Sequence, residues 1–142
     1  MRPIYESDAD REREAQVAAT YAQVMGLDAQ AMPRNAPYDY EMLRDGKLVS
    51  IVEIKCRTVQ HDPYWISHSK MVTLHCEAHH REVPGILIVR WPKMTGWVAV
   101  DQLDPESWPT NTGGRTDRND KKDIEKMAEW PISWFTKLEV AQ

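Results

Sequence analysis

The spacing of apolar residues along this chain changes several times, and each change predicts an element. From Asp10 to Met25, Ala15, Val17, Ala18, Tyr21, Val24 and Met25 recur at three- and four-residue intervals, the mark of an amphipathic helix. Asp8 or Asp10 suits its N-cap and Gly26 its end. Residues 27–37 hold Pro33 and Pro37 and read as a linking loop with room for a short strand. Tyr38 to Leu43 then alternates, which predicts Tyr38, Tyr40 and Met42 on one side of a strand and Asp39 and Glu41 on the other. Arg44-Asp45-Gly46-Lys47 is a tight turn, Asp-Gly being a strong hairpin signal, and the β-branched run Leu48 to Cys56 returns as the partner strand.

Residues 57–66, with Pro63, read as a loop. Ser67 is a good cap for a helix reaching about His80, with Met71, Leu74, His75 and Ala78 on one face, broken by Pro84 and Gly85. Ile86 to Trp91 is a continuous apolar run of strand length, and Trp97 to Val100 is its expected hairpin partner. Residues 101–122 are rich in Asn, Thr, Gly, Asp and Pro and predict a long surface loop. Residues 124–131 fit a strand or a helix, and Ile132, Trp134, Phe135 and Leu138 predict a short terminal turn docked on the core. The resulting order is helix, two antiparallel strands, helix, two strands: an α/β fold with a mixed sheet and a helix on each face.

Composition narrows this little. The 142 residues suit a single domain spanning 1–142, and 42% hydrophobic with 28% charged residues is ordinary for a globular protein. No apolar run is long enough to span a bilayer, so no membrane partner is expected. The polar N-terminus reads as neither signal nor transit peptide, and Cys56 and Cys76 are too few for a disulfide framework. Both points predict a cytoplasmic protein with reduced thiols. The net charge of −4 counts mildly against a nucleic-acid partner, yet residues 42–58 carry Arg44, Lys47, Lys55 and Arg57 against Asp45 and Glu53.

That basic stretch contains the one constellation with evident chemistry. Side chains two apart on a strand share a face, so Glu53 and Lys55 project together from an otherwise apolar run. Buried without a purpose, such a pair is expensive. Asp39 on the preceding strand can face Glu53 across the hairpin. Two neighbouring carboxylates repel, and a hard divalent cation with oxygen ligands resolves that cost, the Ile54 carbonyl offering a further oxygen. A Glu-x-Lys on a strand is more often an exposed polar face, and spacing alone leaves both readings open.

Asp39 within Tyr38-Asp39-Tyr40, thirteen residues, then Glu53 within Val52-Glu53-Ile54-Lys55-Cys56-Arg57 resembles the PD-(D/E)XK nuclease superfamily. The order of elements over residues 10–100 matches as well, most closely the small stand-alone phage and bacterial members. The resemblance implies a restriction-endonuclease-like core, a central mixed sheet flanked by helices on both faces. It also implies Asp39 and Glu53 as metal ligands, Lys55 as the catalytic lysine, and Mg2+ as cofactor with Mn2+ as substitute. The family's helical acid falls on Glu14 or Glu12; Glu14 lies on the stripe of Val17 and Tyr21 and is preferred. The residue before Asp39 is Tyr38 where the family's name has Pro; Pro37 stands one place earlier.

Ser67, Ser69 and Lys70 fall at the start of the second helix, where free N–H groups favour phosphate, and Arg57 shares the strand face of Lys55. Ser69, Lys70 and Arg57 are therefore candidate nucleic-acid contacts, each also readable as an ordinary surface residue. His75, Cys76, His79 and His80 suggest zinc, but a structural site wants four ligands and the second pair is missing. Trp65, Trp108, Trp130 and Trp134 suit stacking on unpaired bases or, more commonly, core packing. The loop from Gly113 to Arg118 suits a phosphate backbone or plain solvent. The expected function is metal-dependent hydrolysis of DNA, branched forms included, by a monomer or homodimer, with RNA left open. The alternative is a nuclease fold kept as a binding module without chemistry.

Overall fold

The computed structural model describes residues 8–114 and 124–139. Helix α1 (Asp8–Met25) buries the stripe Val17, Ala18, Tyr21 and Ala22, and Gly26 takes a φ of 69°, the left-handed conformation that stops a helix. The chain continues through β1 (Asp28–Ala31), β2 (Tyr40–Arg44) and β3 (Lys47–Cys56). Asp45 and Gly46 between the last two both have positive φ, 52° and 76°, as a two-residue hairpin turn requires. Strand β4 (Tyr64–Ser67) leads directly into α2 (His68–Arg81), and β5 (Gly85–Arg90), β6 (Thr95–Ala99), β7 (Thr110–Gly114), β8 (Ile124–Trp130) and β9 (Thr136–Lys137) follow.

The main sheet has the order β1-β2-β3-β5-β6-β9, antiparallel at every step except β3 beside β5, which run parallel with α2 in the crossover. Each face is covered by one helix. Val17, Ala18, Tyr21 and Ala22 of α1 pack with Met42, Val52, Ile54, Ile86 and Ile88. Met71, Leu74 and Ala78 of α2 pack with Ile51, Leu87 and Val89 on the opposite face. The alternation of β3 and β5 thus feeds two cores, and each fully buried aliphatic side chain contributes about 1.5–3 kcal/mol. This is the α/β arrangement that the sequence predicts.

Several expectations need correction. Tyr64–Ser67 is a strand rather than loop, and Thr110–Gly114 is a strand within the expected surface loop. Together with β8 they form a second, antiparallel sheet in the order β4-β8-β7, which settles residues 124–130 as strand. It packs Tyr64, Ile66, Ala128 and Trp130 into the core under α2. Tyr64, Trp65 and Ile66 favour strands, but four residues after a proline give too short a period to read. Tyr38 does not share a side with Tyr40 and Met42. It precedes β2 in a bend, outside the ladder, and joins the α2-side core while they join the α1 side.

One irregularity sets the hairpin's register. Next to the turn, Arg44 pairs with Lys47 and Leu43 with Leu48; farther out Met42 pairs with Ser50 and Tyr40 with Val52. Val49 is therefore an extra residue in β3, a β-bulge that shifts everything beyond it by one. Gly85 supplies a second constraint, because a Cβ there would stand 3.0 Å from Ala78 Cβ and 3.3 Å from Leu74 Cγ. The absent side chain lets α2 lie close on β5. Gly85→Val should lower stability by about 2 kcal/mol through overpacking, read as a drop in urea midpoint at unchanged m-value; a midpoint equal to the wild type's would contradict this packing.

Candidate active site

The bulge carries Asp39 to the level of Glu53. Asp39 N–H donates to the Val52 carbonyl (2.9 Å), its own carbonyl accepts from Met32 N–H (2.9 Å), and its Oδ2 accepts from Ile54 N–H (2.8 Å). The carboxylate is thereby pinned to the backbone of the strand that bears Glu53 and Lys55. Just upstream, the buried Tyr38 donates its hydroxyl to Glu41 (2.6 Å), which also pairs with Arg81 (3.2 Å) at the end of α2. The Arg81 guanidinium lies 5.5 Å from the Tyr38 ring centre. The residue next to Asp39 is thus clamped to the far end of a helix.

Glu53 is 9% exposed and Lys55 Nζ stands 3.6 Å from its Oε1. Both project on the α2 side of β3, beside the apolar Ile51, Leu87 and Val89. Burial pushes the Glu53 carboxyl up to about 7, and the Asp39 carboxylate pushes the same way, against the pull of Lys55 and Lys70. For Lys55, burial opposes the charge, but the Glu53 and Asp39 carboxylates more than offset it and raise its pKa. Two carboxylates and two ammonium groups thus share one poorly hydrated corner.

Lys70 reaches this corner from the first turn of α2. Ser67 caps that helix, its Oγ accepting from Lys70 N–H (3.4 Å) and lying 3.1 Å from Ser69 Oγ. Ser69 is exposed at the same end. Arg57 follows the last residue of β3, its N–H bonded to the Arg90 carbonyl (2.8 Å) and its guanidinium 5.8 Å from the Tyr64 ring centre. Glu14 sits half-buried on α1 and lines a cleft of about 50 Å³ with Arg11, Met32, Arg34, Asp39 and Tyr40. Glu12 is exposed and does not line it.

The structure therefore brings together Asp39, Glu53, Lys55 and Lys70, and gives Glu14 a cleft shared with Asp39 alone of that group. Among the described residues no three His, Cys, Asp or Glu side chains stand close enough to hold a metal between them. What Asp39 and Glu53 offer is a pair of hard oxygen donors, and this fits a hard divalent cation that takes one or two carboxylates and fills its remaining positions with water and substrate phosphate. His75 and His79 lie with ring centres 4.5 Å apart and planes tilted by 41°, while Cys76 is exposed and the second ligand pair is missing among the described residues. Of the tryptophans, Trp108 and Trp130 are core residues and Trp65 and Trp134 are exposed. From Arg115 onward the loop 113–118 lies outside the described residues. Sequence reasoning missed Tyr64, whose only signal is the short strand-prone run after Pro63.

A mixed sheet between two helices, with an acid-x-Lys on one strand and an acid pinned beside it, defines a PD-(D/E)XK nuclease. The chain belongs to the family described as "Phage putative PDDEXK endonuclease", whose pattern matches residues 1–138. Among solved structures it is similar to Hjc, a Holliday junction resolvase from the archaeal hyperthermophile Archaeoglobus fulgidus, with a TM-score of 0.60 and 17% identity. That match covers 92% of this chain and 91% of the other. No curated protein sequence matches the chain. None of the described helices is long and apolar enough to cross a membrane.

The raised Glu53 carboxyl has a consequence for stability. Its pKa lies at about 7 in the fold against 4.5 for an ordinary glutamate, so the folded state holds this proton more tightly than the unfolded chain does. The stability so gained is fully present below the unfolded pKa and is lost as pH rises through the folded one. In EDTA, Glu53→Gln should melt above wild type at about pH 8 and lose less stability between about pH 5 and 8. Parallel melting curves for the two proteins across that window would contradict the burial of a charged Glu53.

Proposed function

We propose that the protein is a magnesium-dependent endonuclease that hydrolyses phosphodiester bonds in DNA, with Asp39, Glu53 and the Ile54 carbonyl holding the cation. The observation that carries this reading is the pinned pair of carboxylates, one of them buried and destabilised in its charged form by the other. A divalent cation at that position lowers the pKa of bound water and offsets charge on the phosphoryl group. Manganese, another oxygen-seeking cation, would substitute.

Lys55, 3.6 Å from Glu53 Oε1, would present its ammonium to the attacking water or to the scissile phosphate. Lys70 and Ser69 receive a backbone phosphate at the start of α2, and Arg57 another at the end of β3. Glu14 acts through the cleft it shares with Asp39. The likeness in fold to a junction resolvase supports branched DNA as substrate, and symmetric cutting of a junction suits a homodimer with two active sites, whereas nicking one strand suits a monomer. Two free cysteines suit a cytoplasmic setting.

The test is cleavage of labelled duplex, single-stranded, flap and four-way-junction DNA, and of RNA, with magnesium, manganese or EDTA. Wild type should cleave only with metal, and Asp39→Ala, Glu53→Ala and Lys55→Ala should each lose about a hundredfold or more in rate while remaining folded. Cleavage in EDTA would remove the cation from the mechanism. Folded wild type that binds DNA and cuts nothing would turn the reading to a binding module.

The two helical acids separate in the same assay. Glu14→Ala should reduce the rate by about tenfold or more, whereas Glu12→Ala, changed at an exposed position, should match wild type. Equal effects from both would remove Glu14 from the site.

A further inference from the structure

Tyr64 opens β4, where it pairs with Trp130, and points its ring into the core. Two rings meet it edge-on: Trp91 at 5.6 Å and 89°, and Phe135 at 6.2 Å and 81°. Those contacts fix the ring, which is 4% exposed. Its hydroxyl is buried too and, among the described residues, meets no partner in good hydrogen-bond geometry, Arg57 being the one side chain near enough to act on it as a donor. A buried tyrosine hydroxyl normally finds a partner, and leaving one unpaired costs free energy that phenylalanine, with the same ring, avoids.

Ser50 and the indoles of Trp91, Trp108 and Trp130 also have buried polar atoms without partners among the described residues. Tyr64 differs from them in what it faces. The Arg57 guanidinium lies 5.8 Å from its ring centre, and Lys55 is close enough for the two to influence each other's ionisation. Burial pushes the phenol's pKa up against the pull of these cations, so the group is a neutral hydroxyl with two acceptor lone pairs. Arg57 and Lys55 are two residues apart and repel, Arg57 acting to lower the lysine's pKa. A carboxylate placed here would hold both cations but cancel the charge that a phosphate needs. A hydroxyl orients them and leaves their charge intact.

We propose that the Tyr64 hydroxyl is a positioning group that accepts hydrogen bonds from Arg57 and Lys55 as a nucleic-acid phosphate draws them into place. Its oxygen is immobile because the ring is locked, whereas both cations end long flexible chains. Among the described residues, the Arg57 guanidinium otherwise donates to the Cys56 carbonyl, at 3.2 Å. The assignment rests on the nuclease reading of the site and adds to it a residue from the second sheet.

Tyr64→Phe keeps the ring and removes only the oxygen. Three readouts decide: the thermal midpoint, affinity for a fluorescent DNA duplex in EDTA over a salt series, and the magnesium-dependent cleavage rate. The midpoint should equal or exceed wild type, while affinity falls several-fold and cleavage by about tenfold, the loss expected for a hydrogen bond to a charged group. The salt slope should not change, since no charge is lost; Arg57→Ala should reduce it by about one. Wild-type binding and cleavage by Tyr64→Phe would overturn the assignment. So would a loss of activity matched by a lower midpoint, because that marks a structural hydroxyl. Wild type that binds duplex without cutting any substrate removes the nuclease reading, and the binding arm then decides for Tyr64. Wild type that neither binds nor cuts removes both.

Discussion

The Ile54 amide donates a 2.8 Å hydrogen bond to the Asp39 carboxylate, and the rest of the site is arranged around that contact. It holds one anion against the strand that carries a second, buried one. In water two carboxylates at such close quarters would part. Here Asp39 is tied through both its backbone groups and its side chain, and Glu53 projects from the middle of a sheet. The repulsion is therefore built in, and together with burial, the larger cause, it makes Glu53 a glutamate that gives up its proton late. Lys55 and Lys70 relieve it only in part. The net charge of −4 says little about this corner, where the balance of fixed charges is set by Asp39 in the bend before β2, Glu53 and Lys55 on β3, and Lys70 on α2.

Much of the fold was legible because its periods are long. Sixteen residues of helical spacing, an Asp-Gly turn between two strands, and a capped second helix each left a pattern that local physics reads directly. The cost of placing charge on an apolar strand singled out Glu53 and Lys55, with Asp39 across the hairpin, but only the resemblance to the nuclease motif gave these residues roles. The second sheet escaped because β4 has only four residues and β7 lies in a polar, glycine-rich stretch. Neither has an alternation to detect; both exist because β8 lies between them and pairs with each. Tyr38 escaped for another reason. The rule of alternating faces applies inside a ladder, and Tyr38 stands just outside one, held by Glu41 and Arg81.

The second sheet bears on the site through its order in the chain. β4 runs without a break into α2, so the strand that presents Tyr64 also sets where Ser67 caps the helix and where Lys70 emerges. Gly85 fixes the other side of that helix by letting it settle on β5. Lys70 is thus placed by packing on two sheets, while Asp39, Glu53 and Lys55 are placed by one hairpin. Rigid support from different elements is what keeps unlike charges in register when none of them is fully solvated.

The Val49 bulge bears on how this hairpin can change length. Counting outward from a two-residue turn, residues that face each other are always separated by an even number of others, yet thirteen lie between Asp39 and Glu53. Parity alone demands one supernumerary residue. Growth of the hairpin by one residue on each arm leaves the two acids facing, so its turn end is open to drift among relatives. A lone insertion or deletion between them, however small, exchanges inside for outside at Asp39 unless the bulge is gained or lost with it. Sequences that share this chemistry should therefore fall into two groups by the oddness of that interval, and the bulge should be found only in one.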